Sequence, residues 1–352
     1  MATKPGHHYG GKPIAPAAYA ALRGMQELTL DDKIAHALNA IRCWHEAWDG
    51  LVYILYSGGA DSTVLRWLVH QVAPEVPAVF CHTGLEYPEV LRHVARTPNV
   101  VTVRPKIPFT EVIKRHGWPL VSKRVARGIS ILRHPTAKNA NITKLYDEGI
   151  NRFGETAARF RTPNRWRFLI DAPFETSDRC CDIMKKEPSR RYQRMTGRMP
   201  FLGLLASDSQ AREKSFLQHG CNAYDMKSPR SMPMAIWTKQ DVWACIKRHK
   251  IAIPEVYGEI VEEGGQFRTT GVDGTGCVFC AFGLQMESEP TRFHQLRHSH
   301  PKLWTYCMDR LGLGEVLEYC RDHVPARLAG RFDPRPAEAE DAGQDKGMEM
   351  SA

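Results

Sequence analysis

Tyr53-Ile54-Leu55-Tyr56-Ser57-Gly58-Gly59-Ala60-Asp61-Ser62 is the stretch on which the reading of the chain turns. Leu51 to Tyr56 is a run of apolar and β-branched residues, the pattern of a buried strand. It breaks into a Ser-Gly-Gly turn and restarts as a helix from about Ser62, through Val64, Leu65, Leu68 and Val69. Strand, glycine turn and helix together offer backbone N–H groups to a phosphate. The glycines permit close backbone approach, and the helix start adds partial positive charge.

Working outward, Pro77 to His82 reads as a second strand, ending in Thr83-Gly84-Leu85-Glu86-Tyr87-Pro88-Glu89. A helix through Val90, Leu91 and Val94 follows, and Asn99 to Val103 reads as a third strand. Strand and helix alternate, so the expected fold class is α/β, a doubly wound and mostly parallel sheet. In such sheets ligands sit at strand carboxyl ends. Ser57–Ser62 and Thr83–Glu89 both occupy that position and are expected to face one crevice.

The loop is not a Walker A loop, which needs a Lys before its Ser/Thr. It resembles the pyrophosphate loop (PP-loop) of the ATP pyrophosphatases, Ser-Gly-Gly-X-Asp-Ser, at Ser57, Gly58, Gly59, Asp61 and Ser62. At the variable position, where many relatives carry Lys, this chain has Ala60. The Thr83–Glu89 stretch resembles the second motif of the phosphoadenylyl-sulfate (PAPS) and adenylyl-sulfate (APS) reductase branch of that family. Met199 to Leu205 reads as a further strand. The Ala206–Arg212 stretch after it resembles a PAPS reductase element in part, with Gly203, Ser209 and Arg212 in place and Leu205 where that element has Arg. Ser231 to Trp243 resembles the family's Pro-X-X-X-Trp-X-X-X-Asp-Val-Trp segment, with Thr238 as an N-cap and Asp241 at the capping-box distance.

The resemblance implies an adenine nucleotide alpha-hydrolase-like fold and an adenine nucleotide, ATP or APS/PAPS, held by Ser57, Gly58, Gly59, Ala60, Asp61, Ser62, Thr83, Gly84 and Glu86. Asp61 and Arg212 are the catalytic candidates, and Mg2+ is a candidate companion of the nucleotide.

The chain has 352 residues, a net charge of +9 and 43% hydrophobic residues, enough for one large α/β domain with additions or two modest ones. The expected boundaries are a lead and helical extension over 1–47, with Ala17 to Glu46 largely helical. A nucleotide-binding domain follows over 48–260, then a cluster-binding helical region over 261–333 and a disordered tail over 334–352. The basic balance suits an anionic ligand. A basic run from Lys114 to Arg133, continued at Arg159, Arg161, Arg165 and Arg167, is interleaved in part with aromatic residues such as Trp166. Such a surface suits nucleic acid, though a charge run is more often a solvated face. No apolar run is long enough to span a membrane and no apolar leader is seen, so a cytoplasmic protein is expected.

The ten cysteines are then more readily metal ligands or reactive thiols than disulfides. Cys180-Cys181 is a tandem pair and Cys277-X-X-Cys280 a turn that places two thiolates on one centre. Adjacent cysteines fit two irons of a cubane cluster with less strain than two corners of a zinc site. Zinc, and thiols without metal, remain open readings. The set resembles the [4Fe–4S] signature of assimilatory APS reductases. The other six cysteines, Cys81 and Cys320 among them, read as buried or incidental. His294, His298 and His300 read as surface or packing residues.

The reductases carry their nucleophilic cysteine in a C-terminal Glu-Cys-Gly-Leu-His segment, which has no counterpart here. The last cysteine is Cys320, in Cys-X-X-His. The leading expectation is therefore a PP-loop enzyme that adenylylates an acceptor for sulfur insertion, similar to the DNA phosphorothioation ATPase and cluster-bearing tRNA thiolases. The alternatives are a sulfonucleotide reductase using a thiol such as Cys320, and a nucleotide-binding component without turnover. Expected partners are a nucleic-acid substrate or a sulfur-donor protein, and a second copy of the chain.

Overall fold

The computed structural model describes residues 14–335. The lead before that and most of the expected disordered tail lie outside the described residues. The chain divides into two compact units, each built from two stretches. Unit 1 comprises 1–109 and 181–278, and unit 2 comprises 110–180 and 279–352.

In chain order unit 1 opens with helices α1 (Pro16–Gln26) and α2 (Leu30–Ala47), where Thr29 caps α2 by accepting from the Asp32 amide. Then come β1 (Val52–Tyr56), α3 (Ala60–His70), β2 (Ala78–Cys81), α4 (Pro88–Arg96) and β3 (Val100–Val103). Unit 2 begins one residue into α5 (Phe109–His116) and continues with β4 (Leu120–Val121), α6 (Lys123–Arg133) and α7 (Ala140–Asp147). The chain re-enters unit 1 for α8 (Glu187–Thr196), β5 (Met199–Leu202), α9 (Gln210–His219), β6 (Asn222–Ala223), β7 (Arg230–Ser231) and α10 (Lys239–His249). The hairpin β8 (Ile260–Glu263) and β9 (Gln266–Thr269) completes it.

Unit 1 holds a six-stranded sheet in the order β3-β2-β1-β5-β7-β6. Every pair is parallel except β6–β7. This is the expected mostly parallel α/β sheet. β1 lies between β2 and β5, with Ile54 opposite Ala78 and Val52 opposite Met199. Connections from β1 run one way to β2 and β3, and the later strands add on the other side. The carboxyl end of β1 is thus the topological switch point. The glycine turn leaves from there. Val52, Tyr53, Ile54 and Tyr56 are all buried, as a strand covered on both faces requires.

The expected strand from Met199 to Leu205 stops at Leu202, and the chain turns through Ala206–Asp208 into α9. The helix from Lys239 starts as its sequence predicts. The Thr238 side chain accepts from the Asp241 amide, and Asp241 accepts from the Thr238 amide at 2.7 Å. Asp241 also takes the buried Lys33 ammonium at 2.7 Å.

Unit 2 pairs β4 in parallel with β10 (Ala281–Phe282) and continues through α11 (Arg292–Ser299), α12 (Pro301–Thr305), α13 (Leu313–His323) and α14 (Ala326–Ala329). Its core includes Trp166, Phe293, Cys307, Cys320 and Phe332. Two members of the basic run are structural. Arg133 donates to the carbonyls of Ala172 and Phe174, and Arg167 pairs with Asp147. Lys123, Arg124, Arg127, Arg161 and Arg165 stay exposed. His294 is a packing residue whose Nδ1 accepts from the Thr291 amide.

Candidate functional site

The Ser57–Ser62 loop of unit 1 is a tight hydroxyl-and-amide cradle. The Ser57 amide donates to Ser62 Oγ at 3.1 Å, and the Gly59 amide to Ser57 Oγ at 3.3 Å. Ser62 Oγ and Thr63 Oγ1 both donate to the Gly59 carbonyl at 3.0 Å, which fastens the first turn of α3. The Ala60 amide donates to the Tyr257 hydroxyl at 3.0 Å, and that hydroxyl also bonds Thr275 Oγ1 at 3.1 Å. An oxyanion seated on the Ala60 amide would take the place of that phenol.

The loop is sterically closed as well. Gly58 has φ +73°, and a Cβ there would lie 2.8 Å from Val94 Cγ2 and 2.9 Å from Val90 Cγ1. So α4 lies against the loop, and the backbone conformation itself favours glycine. On the other flank a Cβ on Gly203, just past β5, would come within 3.1 Å of the Asp61 carbonyl.

Charges gather at the start of α3. Asp61 Oδ1 accepts from Lys239 Nζ at 2.6 Å, and the same ammonium lies 4.7 Å from the centre of the Trp243 ring. Arg212 pairs with Asp208. Burial raises the Asp208 carboxyl above its ordinary range. Arg212 opposes that shift, the Asp61 charge adds to it, and Lys239 opposes it. Two carboxylates and two cations therefore feel one another beside the glycine loop.

The Thr83–Glu86 turn is closed on itself. The Glu86 carboxylate accepts from the amides of Thr83 at 3.1 Å, Gly84 at 3.0 Å and Leu85 at 3.2 Å, and from the Thr83 hydroxyl at 2.5 Å. Three successive amides aimed at one carboxylate make an anion nest that Glu86 itself fills. Thr83 and Glu86 therefore spend their polar groups on each other, and the Gly84 amide joins them.

Two bridges draw the later segments to these loops. Tyr257 and Thr275 reach the glycine loop, and the Val278 amide donates to the Leu85 carbonyl at 2.8 Å. Cys277 lies between Thr275 and Val278. Burial pushes its thiol up, against the pull of the Lys185 ammonium that bonds it, while the Cys181 charge pushes in the same sense as burial. Cys81 belongs to this neighbourhood too. Its S–H donates to the Met184 carbonyl at 3.0 Å. Burial first, then Glu86, raise that thiol to about 12, with Lys185 opposing and Cys277 adding.

Two of the four cysteines expected to hold a [4Fe–4S] cluster, Cys181 and Cys277, lie in unit 1. Cys181 and Cys277 of unit 1 are within electrostatic reach of each other beside Lys185, which suits two thiolate ligands with a neighbouring cation. Cys180 and Cys280 belong to unit 2. Among the described residues no three His, Cys, Asp or Glu side chains are gathered so as to hold a metal ion.

Cys320 is fully buried in α13, and burial raises its thiol to about 12. The thiolate is the nucleophile, and burial of Cys320 works against forming it there. In the native protein at pH 8, iodoacetamide is expected to alkylate exposed Cys43 and spare Cys320. Peptide mapping checks this, and rapid modification of Cys320 before unfolding would contradict it.

Sequence reasoning missed Lys239, Asp208, Thr275 and the proximity of Cys81 to Cys277. Only Lys239 left a trace, as a cation in the first turn of a helix, where the dipole disfavours it.

A family model described as the phosphoadenosine phosphosulfate reductase domain matches residues 51–121 and 157–280, more than half of the chain. An uncharacterized protein of Methanocaldococcus jannaschii is 22% identical over 298 residues, covering 79% of this chain and 53% of that protein. The chain thus spans about half the length of the curated relative it matches. A solved structure of a phosphoadenylyl-sulfate (PAPS) reductase from Candida auris, in a phosphate complex, is similar at 16% identity with a TM-score of 0.37. The match covers 73% of this chain and 100% of that one. Among the described residues no helix is long and apolar enough to cross a membrane.

Proposed function

From the premise that the chain belongs to the phosphoadenosine phosphosulfate reductase domain family, we propose that it is a sulfur-transfer enzyme that binds an adenine nucleotide on the Ser57–Ser62 loop. Its reaction is adenylyl activation of an acceptor oxygen by ATP. The acceptor is a nucleic acid or a small molecule. The observation that carries the reading is the glycine loop at the switch point of the sheet, with the Asp61–Lys239 pair at its helix start. A phosphate there meets amides of a strand-loop-helix turn and a cation, the environment that stabilises charge developing on phosphoryl oxygens.

In the first step the acceptor oxygen bonds to the α-phosphorus. The bond from that phosphorus to the bridging oxygen breaks, and pyrophosphate leaves with its electron pair. The acceptor proton passes to solvent. Asp61 would help hold a Mg2+ ion, which would offset charge on the polyphosphate, and Arg212 offers its guanidinium to the leaving pyrophosphate. Thr83 and Gly84 border the nucleotide from the end of β2. A sulfide-equivalent nucleophile from a sulfur-donor protein then displaces AMP from the acceptor.

Cys180, Cys181, Cys277 and Cys280 are proposed to hold a [4Fe–4S] cluster, which would supply a site for binding or relaying sulfur. Sequence spacing supports this, together with the Cys181–Cys277–Lys185 neighbourhood. The exposed cations of unit 2, Lys123, Arg124 and Arg127, suit a nucleic-acid acceptor.

The second reading, reduction of APS or PAPS to sulfite, needs a reactive thiol, and the burial of Cys320 speaks against the first candidate for it. The deciding measurement is anaerobic purification with iron and sulfide analysis, followed by incubation with ATP, APS or PAPS. About four irons per chain, with pyrophosphate released from ATP and no sulfite, is the expected result. Sulfite from APS or PAPS would transfer the protein to the reductases. Nucleotide binding without any turnover would leave a regulatory component, and zinc in place of iron would remove the cluster.

A further inference from the structure

Lys239 stands where helix energetics disfavours it. The start of α10 is otherwise well made, with the reciprocal Thr238–Asp241 cap and the buried Lys33 ammonium beneath Asp241. A cation in the first turn of a helix opposes the macrodipole. Its pairing with Asp61 does not explain the choice. The two side chains are 35% and 30% exposed, and a pair so open to water contributes little to stability.

What the position does achieve is placement. Gln240, the next residue, exchanges two hydrogen bonds with the Phe267 backbone at 2.9 and 2.7 Å, so the helix start is fixed from both sides. The Lys239 ammonium lies 4.7 Å from the centre of the Trp243 ring and is delivered to the first turn of α3, next to Ala60. An ammonium carries three donors, and the Asp61 carboxylate takes one of them.

We propose that Lys239 supplies, from α10, the phosphate-binding cation that the glycine loop lacks at Ala60. Its ligand is the polyphosphate of the nucleotide, held between the ammonium and the loop amides. Asp61 keeps the ammonium pointed at the loop. This rests on the nucleotide reading above and adds to it the residue that discriminates a polyphosphate from an uncharged nucleoside.

The test uses the full chain, wild type and the Lys239→Met and Lys239→Arg variants. Each is titrated calorimetrically with ATP, inorganic pyrophosphate and adenosine at one ionic strength. Loss of a charge-assisted contact to phosphate is expected to weaken ATP and pyrophosphate binding by Lys239→Met about tenfold or more. Adenosine binding should be unchanged, and the melting temperature should stay within about 2 °C of wild type. Lys239→Arg should retain most of the affinity. Equal ATP affinity in Lys239→Met overturns the proposal, and so does a parallel loss for adenosine, which would mark Lys239 as a structural residue. A wild-type chain that binds none of the three ligands overturns the nucleotide reading itself, and this inference with it.

Discussion

Asp241→Ala is expected to lower the unfolding free energy of the protein by about 3–5 kcal/mol, the cost of leaving a buried charge without its partner. The Lys33 side chain is 3% exposed, and its ammonium has two short contacts, Asp241 Oδ2 at 2.7 Å and the Gln26 carbonyl at 2.6 Å. Removing the carboxylate strands that ammonium in the packing of α2 against α10. It also removes the carboxylate half of the α10 capping box, which accepts from the Thr238 amide and hydroxyl, while the Thr238 side chain still accepts from the amide of residue 241. Urea unfolding followed by far-UV circular dichroism reads the loss. The double variant Lys33→Met/Asp241→Asn should recover much of it, because the buried charge goes with its partner. A loss under about 1 kcal/mol for the single variant would show that the pair is solvated in a way this geometry does not allow.

The second large effect is expected at Gly58. Alanine there meets two penalties at once. A non-glycine residue at φ +73° costs about 1 kcal/mol. The new Cβ would sit 2.8 Å from Val94 and 2.9 Å from Val90, so either α4 or the loop must move, at about 1–3 kcal/mol. A moved loop no longer aims its amides together, and ATP affinity is expected to fall by about tenfold or more. Gly24→Ala in α1 is the matched control. Its Cβ would meet nothing within 4 Å, so the change should stabilise the protein by about 0.5–1 kcal/mol. Unchanged ATP affinity in Gly58→Ala would remove this loop from the nucleotide site.

The α/β sheet was legible in the sequence because its signals are local. A buried strand, a glycine turn and a helix face are each written within about a dozen residues. The start of α10 was legible for the same reason, since Thr238 and Asp241 are three positions apart. The site was legible only in pieces. That Lys239 reaches Asp61, or that Tyr257 occupies the Ala60 amide, depends on how distant segments pack, and no periodicity encodes it. Glu86 illustrates a different limit. Its position at a strand end suggests a ligand contact, yet the carboxylate turns back to fill its own nest of amides. Cys81 looks incidental as a lone cysteine, and only the fold sets it beside Cys277.

The place of β1 in the middle of the sheet also bears on how the protein is made. Its partner β2 follows closely, but its other neighbour is β5, and Val52 must wait for Met199. During synthesis the first three strands can assemble while one edge of β1 stays open. That edge is Val-Tyr-Ile-Leu-Tyr, an uncharged run without Pro or Gly, the composition that invites pairing with another chain. Non-local closure of this kind is slow. The nascent protein therefore leaves this strand edge unpaired until β5 emerges from the ribosome, and its yield should depend on chaperones and on the rate of translation through the intervening segment.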